Sequence, residues 1–141
     1  MFKSHTSAVV IGLGTFGTAL ARSLTDKGVR VLGVDKDPHL VDRMHAELDN
    51  TIQADATDVR ALRECSIDDH DLVLIAIGKT VEASMLCTYH VRELGAKWVG
   101  AKAQSEAHRG ILEAIGIDCV FMPEIENAQR QADGLLQIRP D

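Results

Sequence analysis

The apolar run Ala8-Val9-Val10-Ile11 breaks directly into Gly12-Leu13-Gly14-Thr15-Phe16-Gly17. Ala19, Leu20, Ala21 and Leu24 follow at helical spacing, and a second apolar run, Val31-Leu32-Gly33-Val34, ends in Asp35. Few folds accommodate this order. Glycines that leave a strand and open a helix, followed by an acid closing the next strand, form the fingerprint of a dinucleotide-binding crossover. Gly12 lets the chain turn sharply out of the strand. Gly14 lacks a Cβ, so backbone can approach a pyrophosphate, and Gly17 lets the helix pack close to the sheet. The helix starting near Thr15 directs unpaired N–H groups and a positive dipole end at phosphate. Asp35 offers acceptors for the two hydroxyls of an adenosine ribose, and its charge disfavours a 2′-phosphate.

Strand-like runs recur at 7–12, 30–35, 51–54, 71–77, 97–101 and 118–121, with helix-like segments at 15–27, 38–48, 58–65, 80–94, 105–115 and 124–137. Lys27-Gly28, Leu94-Gly95 and Ile115-Gly116 read as helix stops. Asp37-Pro38, Thr57-Asp58, Ser105 and Pro123-Glu124 read as starts. Alternating strands and helices imply an α/β fold: a doubly wound, parallel, six-stranded sheet with helices on both faces and a terminal crossover helix. A ligand on such a sheet lies across the carboxyl ends of the strands. The residues placed there are Gly12 to Gly17, Asp35 and Lys36, Asp55-Ala56-Thr57, Ile77-Gly78-Lys79 and Lys102. Glycines, acids and lysines at these ends suit a nucleotide better than a nucleophile and its base.

Composition narrows the partners. A 141-residue chain that is 45% hydrophobic is sized for one domain, and the aromatic share of 4% leaves a core of Val, Ile, Leu and Ala, as buried parallel strands prefer. The net charge of -6, without a basic block, argues against nucleic acid and against adhesion to anionic lipid. No apolar run approaches the ~20 residues of a membrane span. Met1 to Thr6 is too short before the first strand to be read as a signal peptide. Cys65, Cys87 and Cys119 are scattered and odd in number, which points to reduced thiols and a cytosolic setting. The histidines lack metal spacing and are expected in solvent; Cys87 is expected inside a packed helix and Cys119 in the last strand.

The residues also resemble a known family. Val10-Ile11-Gly12-Leu13-Gly14-Thr15-Phe16-Gly17, Val34-Asp35-Lys36-Asp37, Ala54-Asp55-Ala56-Thr57-Asp58, Ile75-Ala76-Ile77-Gly78, Ile115-Gly116-Ile117-Asp118 and Met122-Pro123-Glu124 are similar to the RCK domain, also called KTN or TrkA-N. This is the nucleotide-binding regulatory module of potassium transport systems and channels. The resemblance implies NAD, NADH, ATP, ADP or AMP in the cleft. It implies a homodimer, which can extend to an octameric ring, at the cytoplasmic face of a membrane pore subunit. By position, Gly12, Gly14 and Gly17 with Thr15 and Phe16 would hold phosphates. Asp35 would take the ribose, Asp55, Ala56 and Thr57 would border adenine, and Ile77, Gly78 and Lys79 would line the ribose–phosphate side. Lys102 would face the far end of the ligand, and Glu124 would sit near a dimer contact, where some relatives place a divalent cation. Several relatives carry arginine where this chain has Thr15, so a hydroxyl replaces a cation near the terminal phosphates. Residues 1–141 thus read as a single N-terminal RCK domain without the smaller C-terminal lobe. Truncation and a regulator lacking that lobe both stay open.

Plainer roles compete at single positions. Asp35 can close a strand and cap a turn, Asp55 and Thr57 can cap the third helix, Lys102 can be a surface lysine, and Glu124 can simply favour a helix N-terminus. Ile125, Ala128, Ala132, Leu135 and Leu136 form one apolar stripe on the last helix, suited to the chain's own core or to a two-fold partner. Three functions follow: a regulatory nucleotide sensor, an NAD-dependent oxidoreductase, and a ligand-free dimerisation module. The second lacks the tyrosine–lysine pair of short-chain dehydrogenases, since Glu93 stands four residues after Tyr89.

Overall fold

The computed structural model describes residues 6–138. The segments 1–5 and 139–141, on which the signal-peptide and domain-end expectations partly rest, lie outside the described residues. The order is β1 (Ser7–Ile11), α1 (Thr15–Asp26), β2 (Arg30–Asp35), α2 (Pro38–Met44), β3 (Asn50–Gln53), α3 (Val59–Glu64), β4 (Leu72–Ile75), α4 (Val81–Glu93), β5 (Val99–Lys102), α5 (Glu106–Ile115), β6 (Cys119–Phe121) and α6 (Pro123–Ile138). A short 3₁₀ turn at Ile67–Asp69, not foreseen from sequence, precedes β4. The six strands are all parallel in the order β3-β2-β1-β4-β5-β6. The order reverses between β1 and β4, and the two crossovers there part to leave a crevice.

Strand periodicity splits the core in two. Odd positions of β1, Val9 and Ile11, join Val73, Ile75, Val99 and Ala101 against Cys87 and Val91 of α4 and Leu112 of α5. Even positions, Ala8 and Val10, join Val31 and Leu74 against Ala21 and Leu24 of α1, with Met44 and Leu48. Successive residues face opposite sides, so one strand serves both layers. At the amino ends, carboxylates fix the register: Asp71 accepts from the Ser7 amide, Asp49 from Val31 and Asp118 from Val99, at 2.9, 2.9 and 2.8 Å.

The boundaries read from sequence hold within a few residues, with one larger difference. The spacing predicts a second helix as far as 48, but α2 stops at Met44. There His45 N bonds Asp42 O and Glu47 N bonds Met44 O, three-residue closures that tighten the chain into turns. Asp37, Asp58, Thr80 and Ser105 cap α2, α3, α4 and α5 with side-chain oxygens. Cys87 lies buried in α4, where burial holds its thiol far above the ordinary range, and Cys119 lies in β6.

The expectation of solvated histidines fails at His108, which is 1% exposed. The Gln104 amide donates to His108 Nδ1 at 3.1 Å, which leaves Nε2–H to donate to Ser84 Oγ at 3.1 Å. A neutral ring satisfies both partners; a charged one cannot accept from Gln104. Burial accordingly lowers the pKa of His108 below its usual value. The unfolded chain therefore takes up this proton first as pH falls, so stability is full above about pH 6.5 and declines below it. Denaturant titrations from about pH 7.5 to about 5.5 are expected to show that decline, and His108→Gln is expected to flatten it. An unchanged slope in the variant contradicts this account.

Candidate nucleotide cleft

Between the carboxyl ends of the strands lies a cleft of about 950 Å³. It opens where the chain leaves β1. Gly12 adopts φ +101°, and its amide bonds Val34 O at 2.8 Å, so the chain turns away while still tied to β2. α1 then packs against that turn: a Cβ on Gly17 would stand 1.7 Å from Gly12 O. Gly14, by contrast, faces open space, with no atom within 4 Å of the point a Cβ would occupy. Gly14 caps α1 without a side-chain bond. The first bond of this turn runs from Thr18 N to Gly14 O, so the amides ahead of it have no intrahelical acceptor. Gly14, Thr15 and Phe16 line the cleft there. Their position at a helix N-terminus favours an anion.

Asp35 closes β2 at the cleft wall. Its Oδ2 accepts from the Leu13 amide at 2.8 Å and its Oδ1 from the Asp37 amide at 2.9 Å. One carboxylate thus holds the glycine loop and the turn into α2, which combines the plain role with exposure to the cleft. Each oxygen keeps further acceptor capacity for hydroxyl donors. Asp55 Oδ1 accepts from Thr57 Oγ1 at 2.7 Å and from Thr57 N at 2.9 Å. The Thr57 hydroxyl, followed by the Thr57 amide, holds the Asp55 carboxyl below the usual carboxylate range. Because Asp58 caps α3, Asp55 and Thr57 are left facing the cleft.

Across the switch point, Ile77, Gly78 and Lys79 follow β4, and Gln104 Nε2 donates to the Gly78 carbonyl. Lys102 is not a surface lysine: its side chain is 12% exposed and its Nζ lies 2.6 Å from Glu124 Oε1. The Lys102 ammonium holds the Glu124 carboxyl below its ordinary value.

Of the fourteen residues expected at the ligand, Gly12, Gly14, Thr15, Phe16, Asp35, Lys36, Asp55, Ala56, Thr57, Ile77, Gly78, Lys79 and Lys102 line this one cleft. Gly17 does not; it is spent on contact with Gly12 and belongs to the support beneath the loop. Sequence reading missed the far wall, where Glu126, Asn127 and Arg130 of α6 join Glu124. Their spacing is the only local signal, and it becomes visible once α6 is known to lean over the crevice. The last helix otherwise stands clear of the core. It has no buried residue, and Leu135, Leu136 and Ile138 are 64%, 66% and 75% exposed. Among the described residues nothing buries its apolar stripe. Among the described residues no helix is long and apolar enough to cross a membrane.

The TrkA-N domain model matches residues 8–123. The chain is 38% identical over 130 residues to Ktr system potassium uptake protein A of Vibrio alginolyticus, covering 92% of this chain and 59% of that protein. It is 34% identical over 127 residues to Ktr system potassium uptake protein C of Bacillus subtilis, covering 90% and 58%. The chain thus spans a little over half the length of these relatives. Among solved structures, the AMP-bound C-terminal domain of Kef from Shewanella denitrificans superimposes with a TM-score of 0.80 at 19% identity, covering 94% of this chain and 81% of that one. The NAD-bound GsuK channel gives 0.72 at 14%, covering 82% and 21%. At these identities the two structures speak for the fold.

Proposed function

The chain belongs to the TrkA-N domain family, and on that premise we propose that it is the nucleotide-binding regulatory module of a potassium-uptake system. The observation that carries the reading is the pairing of Asp35 with the open amides of Gly14 to Phe16 in one cleft. Diphosphate would rest on those amides and the adenosine ribose on Asp35, with Asp55 to Thr57 beside the base. NAD, NADH, ADP, ATP and AMP share that adenosine phosphate. The output is a change of conformational population rather than turnover: a ligand shifts an equilibrium by its difference in affinity for two states. The partners of such a module are a second copy of this chain and a membrane pore subunit, met at the cytoplasmic face. The exposed stripe of α6 is the surface we assign to the two-fold contact.

Millimolar AMP, ADP or NAD is expected to raise the melting temperature, because a ligand that binds only the folded chain stabilises it by mass action. At about 100 times the dissociation constant the gain is about 2.7 kcal/mol. No shift with any adenine nucleotide would instead favour the ligand-free dimerisation module.

A further inference from the structure

We propose that Arg130 reads the terminal phosphate charge of the bound nucleotide. The assignment rests on the nucleotide reading above and goes beyond it by naming the group that ranks the ligands. Four acids and four bases line the cleft. Asp35 is held by two amides, Asp55 by Thr57, Glu124 by Lys102, and Glu126 by the Met122 amide at 3.2 Å. Of the bases, Lys102 is already neutralised by Glu124, and Lys36 sits beside Asp55, whose carboxyl it helps to hold low. Among the described residues, no ion pair involves Lys79 or Arg130. Both are left for an incoming anion, and Arg130, with its planar fork, is the one carried by the α6 wall.

Its place decides which anion. The Asp35 and Asp55 end lies on the β2–β3 side of the switch point, and α6 follows β6 at the opposite edge of the sheet. Arg130 stands six residues beyond Glu124, roughly 9 Å further along the helix axis. A nucleoside monophosphate on Asp35 and the α1 amides occupies the first half of the crevice. A second or third phosphate extends toward the half that α6 covers. Thr15 carries no charge to meet it, and Arg130 supplies one from the other wall. NAD, whose second half ends in a ribose and a nicotinamide ring, gains less from that cation than ADP or ATP does.

Calorimetric titration of the 141-residue chain and of Arg130→Gln with AMP, ADP, ATP and NAD tests this. The expected result is a loss of about tenfold in ADP and ATP affinity, the scale of one charge-assisted contact, with AMP within about twofold. NAD is expected to change less than ADP, and Arg130→Lys is expected to restore part of the loss. Arg130 is exposed on α6, so the ligand-free melting temperature should not move. An unchanged ADP-to-AMP ratio in Arg130→Gln overturns the assignment of Arg130 alone. A parent chain that binds none of the four overturns the nucleotide reading and this inference with it.

Discussion

Gly17→Ala is expected to cost about 3 kcal/mol of stability, lowering the melting temperature by roughly 10 °C. The added Cβ would meet the Gly12 carbonyl oxygen at 1.7 Å and the Gly12 carbonyl carbon at 2.9 Å. Both are backbone atoms, and Gly12 is itself tied to Val34 O and held at φ +101°. α1 must therefore lift from the sheet, which also opens its contacts through Ala21 and Leu24. Helix propensity predicts the reverse sign, a gain of up to about 1 kcal/mol, so the sign of the change separates close packing from intrinsic preference. Gly14→Ala is the matched comparison. Its Cβ meets no atom within 4 Å, so the fold should tolerate it. The methyl group would instead occupy the path by which a phosphate approaches the α1 amides. Thermal melts should show destabilisation for Gly17→Ala alone, and titrations should show at least tenfold weaker ADP binding for Gly14→Ala. Equal melting of the two variants would contradict this division of labour.

Asp35→Asn is expected to weaken every adenine nucleotide by between about tenfold and a hundredfold, the scale of a hydrogen bond to a charged group. The carboxylate presents one oxygen to Leu13 N and the other to Asp37 N. An asparagine of the same shape has one oxygen and one NH₂. Whichever way it turns, one backbone donor faces an N–H. Leaving such a donor unpaired costs about 1–3 kcal/mol, so the ligand-free chain should also melt earlier. The ribose hydroxyls lose their charged acceptor at the same time. Calorimetry on the variant separates the two effects, because the melting loss appears without ligand and the affinity loss persists under conditions where the chain is folded. Loss of stability with undiminished binding would mean that Asp35 only holds the loop.

Much of the fold is legible because its determinants are local. Val9 and Val10 alternate between two cores by strand period alone. Gly28, Gly95 and Gly116 mark helix ends by their left-handed conformation, and Asp37, Asp58 and Ser105 mark helix starts by the amides they cap. The crossover is equally legible, because the turn at Gly12 and the close packing of Gly17 follow from spacing. What escapes is set by tertiary placement. His108 lies in a helical pattern that permits solvent, and the packing of α5 against α4, which brings Ser84 from twenty-four positions earlier to the ring, buries it. Arg130 reads as one charge on a polar helix face, and the angle at which α6 leaves β6 brings it to the cleft. Lys102 ends an apolar strand as a surface lysine would, yet Glu124 closes over it.

The central claim is met most directly by a crystal structure of the chain with ADP. The account predicts ribose hydroxyls within hydrogen-bonding distance of the Asp35 carboxylate and the diphosphate on the amides of Gly14 to Phe16. A nucleotide bound elsewhere, or a cleft that stays closed to it at saturating concentration, would contradict it.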